Sequence, residues 1–138
     1  MTPSARYVRD LMTAVVVTLD RNDTLDTADD LMRLGRIRHI PVLDEEGELA
    51  GIVTQTDLYR GAVLRSLGYG QRAGQRLLHS LSIKDAMTPE VLTTTPGAEL
   101  REAAEFMLQH KVGCLVVLED RKIVGIITES DFVAAFVR

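Results

Sequence analysis

At 138 residues and 46% hydrophobic, with a formal net charge of −4, the chain can bury one real core, while each half alone is marginal by surface-to-volume scaling. The negative balance argues against general affinity for nucleic acid or for an anionic membrane surface. A single cysteine, Cys114, excludes a disulfide framework and a thiol metal cluster. No apolar stretch is long enough for a signal peptide or a bilayer span, so the cytoplasm is the expected address.

A short helical turn is predicted around Tyr7 to Met12, followed by an apolar strand, Val15 to Thr18, rich in β-branched residues. Asn22-Asp23-Thr24 offers an N-cap, and Leu25, Ala28 and Met32 then share one helical face that Gly35 ends. His39 to Leu43 reads as a second strand, Asp44-Glu45-Glu46-Gly47 as a hairpin turn, and Leu49 to Val53 as a third strand. The acidic turn lacks further oxygen ligands at calcium-loop spacing, so no metal site is expected there. A closing helix runs from Thr54 to about Leu67 and stops at Gly68-Tyr69-Gly70.

The same plan then returns. Val8-Arg9-Asp10-Leu11-Met12-Thr13 recurs as Ile83-Lys84-Asp85-Ala86-Met87-Thr88, and Gly51-Ile52-Val53-Thr54-Gln55-Thr56-Asp57 as Gly125-Ile126-Ile127-Thr128-Glu129-Ser130-Asp131. The second copy reads as a strand at Val91 to Thr93, a helix from Ala98 to His110, strands Cys114 to Leu118 and Ile123 to Ile127, and a helix from Glu129. A period of about 75 residues is too long for a solenoid unit and indicates two copies of a small α/β domain, each β-α-β-β-α. The repeats are assigned to 1–67 and 83–138, with 68–82 as linker and some helix over Gln75 to Leu81. No Asp or Glu lies between Asp57 and Asp85, whereas Arg60, Arg65, Arg72, Arg76 and Lys84 do. That run is either a solvated helix face or a docking surface for something acidic.

The Thr-x-x-Asp pairs, Thr54/Asp57 and Thr128/Asp131, sit where a strand hands over to a helix. There the Thr hydroxyl and the first free helical N–H groups face one volume, which favours an anion. One turn on, the Asp carboxylate has two acceptor oxygens that match the adjacent hydroxyls of a ribose. The competing reading is a helix cap, since Asp at the third position is a shorter relative of the capping box. The two readings are partly compatible, because Thr can cap while Asp holds a sugar. The preceding glycine, lacking a β-carbon, lets another backbone or a ligand approach.

The β-α-β-β-α order, Asp-Leu-Met-Thr before the first strand, Arg-His-Ile-Pro-Val on the second and Gly-Ile-Val-Thr-x-x-Asp closing the third resemble the cystathionine-β-synthase (CBS) domain, here as a tandem pair, or Bateman module. The resemblance covers about Tyr7 to Phe136, and its specificity lies in the motif order, found twice. It implies two repeats packed about a pseudo-twofold axis, two clefts for AMP, ADP, ATP or S-adenosylmethionine as regulatory ligands rather than cofactors, and homodimerisation. It also implies an adenine wall built from the segment after Met-Thr and from the second strand. In repeat one these are Thr13, Val15, Val16 and Val17 with Ile37, Arg38, His39, Ile40 and Pro41. In repeat two they are Thr88, Glu90, Val91 and Leu92 with Val112, Gly113, Cys114 and Leu115.

Cations near the second strand reach phosphates in members that bind nucleotides, which implies roles for Arg36, Arg38, His39 and Lys111. Repeat two has Gly113 and Cys114 where repeat one has Arg38 and His39, so unequal clefts are expected. The alternative for these cations is simple solvent exposure. No nucleophile elbow, P-loop or paired-histidine motif occurs, and His39, His79 and His110 lie in different elements, so no enzyme is expected. Two classes remain: an adenosyl-ligand sensor signalling to a separate protein, and a ligand-free dimerising scaffold. Retention of both Asp57 and Asp131 favours the sensor.

Overall fold

The computed structural model describes residues 5–66 and 81–137. The expected linker 68–82 falls almost wholly outside them, as do the stop at Gly68-Tyr69-Gly70, most of the Gln75 to Leu81 segment, His79, Arg72 and Arg76. The order is α1 (Val8–Leu11), β1 (Leu19–Asp20), α2 (Leu25–Gly35), β2 (His39–Leu43), β3 (Leu49–Thr54), α3 (Gln55–Ser66), α4 (Ile83–Ala86), β4 (Thr93–Thr94), α5 (Leu100–His110), β5 (Cys114–Glu119), β6 (Lys122–Thr128) and α6 (Glu129–Val137). No helix among the described residues is long and apolar enough to cross a membrane.

The first sheet runs β1-β2-β3, parallel then antiparallel, and the second repeats that pattern as β4-β5-β6. The first strand of each repeat is shorter and later than its β-branched residues predict. Val15 is 86% exposed, and only Leu19 and Asp20 pair with β2, opposite Val42 and Leu43. Likewise β4 is Thr93–Thr94 rather than Val91 to Thr93. The hairpin after β2 forms as expected: Asp44 Oδ1 accepts the N–H groups of Glu46 and Glu48, both at 2.9 Å, and Gly47 takes φ +79°. Carboxylate oxygens of Asp44, Glu46 and Glu48 lie within 4.8 Å of one another there, all on the exposed or half-buried turn.

Helix α2 ends at Gly35, as expected, but the glycine does not make the left-handed turn. Arg36 makes the left-handed cap with φ 52°; Lys111 does the same after α5 with φ 54°. Glycine is the usual choice at such a position, so each repeat places a cation where the backbone alone prefers no side chain.

The compact units do not coincide with the sequence repeats. One unit comprises 17–90 and the other 1–16 with 91–138, so each repeat's leading segment belongs to the other repeat's body. In the 17–90 unit, Ile83 of α4 is fully buried among Leu25, Ala28, Met32, Ile40 and Val53. In the other, Val8 of α1 is equally buried among Leu100, Ala103, Met107, Leu115 and Ile127. Backbone bonds repeat the arrangement: Ile83 N–H donates to the Asp23 carbonyl and Lys84 N–H to that of Arg21, as Val8 donates to Ala98 and Arg9 to Pro96. The Asp10 carboxylate caps α1 by accepting the N–H groups of Arg6 and Tyr7, which hold its pKa below the ordinary value.

The Met-Thr pair closes each dock. Thr88 exchanges both backbone hydrogen bonds with Ile52, at 2.8 and 2.9 Å, and Thr13 does so with Ile126, at 2.9 and 3.0 Å. A β-carbon on Gly51 would lie 2.7 Å from Met87 Sδ and 2.8 Å from the Thr88 carbonyl oxygen; on Gly125 it would lie 2.5 Å from Met12 Sδ. The expected close approach at these glycines is therefore made by backbone and a methionine from the opposite repeat.

Two outcomes follow. Gly51→Ala forces the Thr88 carbonyl away from β3 and should lower stability by about 1–3 kcal/mol. Amide exchange at Thr88 should accelerate more than exchange at Thr13, and equal acceleration would contradict the dock. Cys114 is buried at the start of β5, and desolvation pushes its thiol from 9.0 up to about 12. Since the folded value is the higher, its stabilising contribution is complete below pH 9 and declines as pH rises toward 12. Aromatic disulfide reagents at neutral pH should label it only as fast as the chain opens.

Candidate functional site

Each unit has one strand-to-helix corner. In the 17–90 unit β3 passes directly into α3, and the Gln55 N–H donates to the Arg38 carbonyl at 2.9 Å, pinning the start of β2 to the helix N-terminus. His39 faces Thr54 in the ladder, and Ile40 and Pro41 are buried beside it. In the other unit the Glu129 N–H donates to the Gly113 carbonyl at 3.0 Å, and Cys114 faces Thr128. The second-strand residues and the Thr-x-x-Asp pairs expected to share a site are thus adjacent in both units.

The leading segments are not grouped as the repeats suggest. Thr13, Val15 and Val16 belong to the unit of Thr128 and Asp131, tied there by the Thr13–Ile126 bridge, whereas Val17 stays with Thr54 and Asp57. Thr88 and Glu90 belong to the unit of Thr54 and Asp57, through the Thr88–Ile52 bridge. Val91 and Leu92 remain with the second corner, where the Leu92 carbonyl accepts the Val116 N–H and its side chain packs on the core. The physical reason is the dock: the bared strand edge beside each glycine is filled by the other repeat's Met-Thr pair.

The cap reading of Thr-x-x-Asp is realised at both corners, with different detail. Asp57 Oδ2 accepts the Thr54 N–H at 2.8 Å, and Thr54 Oγ1 accepts the Asp57 N–H at 3.2 Å, the reciprocal capping box. Asp57 is only 7% exposed. Asp131 Oδ2 accepts the Thr128 N–H at 2.8 Å, but the Thr128 hydroxyl turns to Asp131 Oδ2 at 3.3 Å and to Ser130 Oγ at 2.8 Å. Asp131 is half-buried. At each corner capping occupies Oδ2, and Oδ1 has no partner among the described residues. A carboxylate held in this way keeps acceptor capacity for a ligand.

Arg36, Arg38 and Lys111 are exposed and form no ion pair among the described residues. His39 is half-buried and is not free of partners. The left-handed caps at Arg36 and Lys111 were not legible in sequence, because glycine is the usual signal and neither position carries one.

Comparison with known proteins agrees with this architecture. The CBS domain profile matches residues 8–63 and again residues 83–138. The CBS domain-containing protein YhcV of Bacillus subtilis is 32% identical over 124 residues, spanning 90% of this chain and 81% of that one. Other relatives are much longer: the chain spans 24% of the homoserine O-acetyltransferase of Methanohalophilus mahii, at 34% identity over 130 residues. Among solved structures, the CBS domain pair of protein MJ0100 in complex with 5′-methylthioadenosine and S-adenosyl-L-methionine superposes with TM-score 0.79 at 25% identity, covering 95% of each chain. CBSX2 in complex with AMP superposes with TM-score 0.75 at 26% identity, covering 95% of this chain and 96% of that one. Two matches to one domain profile, in the order the duplicated motifs dictate, place this chain in the CBS-domain family as a tandem pair.

Proposed function

We propose that the chain is a regulatory module whose two corners bind adenosyl ligands and whose ligand state is read by a separate protein. The observation that carries this reading is the half-used carboxylate: Asp57 and Asp131 are each fixed by one backbone N–H at 2.8 Å, with Oδ1 left for ribose hydroxyls. The adenosyl complexes of two structural relatives support it. The ring would lie against the leading segment and the second strand; for the Asp57 corner we take these to be Thr88 and Glu90 with Ile37 to Pro41, which share its unit. For the Asp131 corner we take Thr13, Val15 and Val16 with Val112 to Leu115, on the same ground. The exposed Val15 is an apolar surface suited to a flat base. In this reading Arg36, Arg38 and His39 contact phosphate at the first corner, and Lys111 is the corresponding cation at the second.

Ligand binding shifts the module only through differential affinity for two of its states. A dimerising scaffold is the second reading, favoured by one observation: Val133, Phe136 and Val137 form an exposed apolar stripe on α6, with Phe136 80% exposed. We take homodimerisation through such a stripe as compatible with either role.

A thermal-shift panel of adenosine, AMP, ADP, ATP and S-adenosylmethionine separates the two. A ligand present at 100 times its Kd stabilises the native state by about 2.7 kcal/mol, and Asp57→Asn with Asp131→Asn in one chain should abolish the shift. A flat wild-type panel at millimolar ligand supports the scaffold instead. Arg36→Gly relieves the left-handed strain and should raise stability by up to about 1 kcal/mol. The same change should weaken AMP and leave adenosine unaltered; parallel losses would mean a packing role.

A further inference from the structure

Resting on that adenosyl reading, we infer that the two corners select chemically different ligands. The Thr54/Asp57 corner takes a phosphorylated nucleoside, and the Thr128/Asp131 corner a nucleoside without phosphate, neutral or carrying a sulfonium cation. Three independent features of the corners point the same way.

The first is the hydroxyl. Thr54 Oγ1 accepts the Asp57 N–H at 3.2 Å, so its own proton remains available to a phosphate oxygen. Thr128 Oγ1 donates to Asp131 Oδ2 at 3.3 Å and is paired with Ser130 Oγ at 2.8 Å, so its proton is committed inside the corner. An anion arriving there would have to break that bond to gain a donor.

The second is the helix start. Gln55 opens α3, whereas Glu129 opens α6, so the first turn of α6 carries one more carboxylate than that of α3 and favours a phosphate less. The third is the strand facing the corner. Arg38, whose carbonyl is bonded to the α3 N-terminus, is replaced by Gly113, whose carbonyl makes the same bond to α6. Counted alike, the first corner sets Arg36 and Arg38 against Asp57 and Glu90 and is neutral, while the second sets Lys111 against Glu129 and Asp131 and keeps a net negative charge. A negatively balanced corner suits a neutral or sulfonium-bearing nucleoside better than a phosphate.

Titration calorimetry on the full chain with AMP and, separately, 5′-methylthioadenosine tests the assignment, using Asp57→Asn and Asp131→Asn. Asparagine keeps an oxygen for the capping N–H, and a cooperative melt confirms each variant is folded. Asp57→Asn should weaken AMP at least about tenfold, equivalent to 1.4 kcal/mol, and spare 5′-methylthioadenosine, while Asp131→Asn should do the reverse. Glu129→Gln in the Asp57→Asn chain should restore part of the AMP binding. If each variant removes one equivalent binding event for both ligands, selectivity is refuted while the adenosyl reading stands. If neither variant changes either ligand, the adenosyl reading falls and takes this inference with it.

Discussion

Everything distinctive about this chain depends on a Met-Thr pair seated on a strand that a glycine has stripped of its side chain. A β-carbon at Gly51 would overlap both Met87 and the Thr88 carbonyl, so the dock exists only because that side chain is missing. Two backbone hydrogen bonds to Ile52 complete it, each contributing about 1 kcal/mol net. Ile83, one turn upstream, adds a fully buried side chain, by itself about 1.5–3 kcal/mol of apolar burial. The second unit is built by the same three contacts through Gly125, Thr13 and Val8. Neither sequence repeat owns a complete core, which reconciles two repeats of marginal length with one stable chain.

The dock also decides which residues share a unit. Because each leading segment belongs to the other repeat's body, a corner combines Thr-x-x-Asp and second strand from one copy with the Met-Thr segment of the other. The capping bonds matter as much as the open carboxylate oxygen. They fix Asp57 and Asp131 in place, so under the proposed function little side-chain entropy would be lost on binding. Capping uses one oxygen of each carboxylate, and the proposed sugar contact would use the other. Duplication gave two equivalent frames; Gln55 against Glu129 and Arg38 against Gly113 give them different electrostatics.

Most of the fold was legible in sequence because its signals are local. Period-two and helical patterns located β2 at His39–Leu43 and the apolar face of α2, and the acidic turn with Gly47 closed the hairpin between β2 and β3. The order of motifs, read twice, identified the family. The exchange of leading segments was not legible, since two identical docks send the same signal whether a segment sits on its own repeat or on the other. Val15 to Val17 misled for a related reason: β-branched residues favour a strand, but this stretch carries the chain from one unit to the other, and pairing begins only at Leu19. The left-handed Arg36 and Lys111 were hidden because a long cationic side chain at that position is uncommon and Gly35 offered a plausible stop.

The most direct check is the pattern of short proton–proton contacts in nuclear Overhauser spectra of isotopically labelled protein. The account predicts backbone cross-peaks between Thr88 and Ile52 and between Thr13 and Ile126. Cross-peaks linking Thr13 to Ile52 and Thr88 to Ile126 would contradict it, returning each leading segment to its own repeat and regrouping both corners.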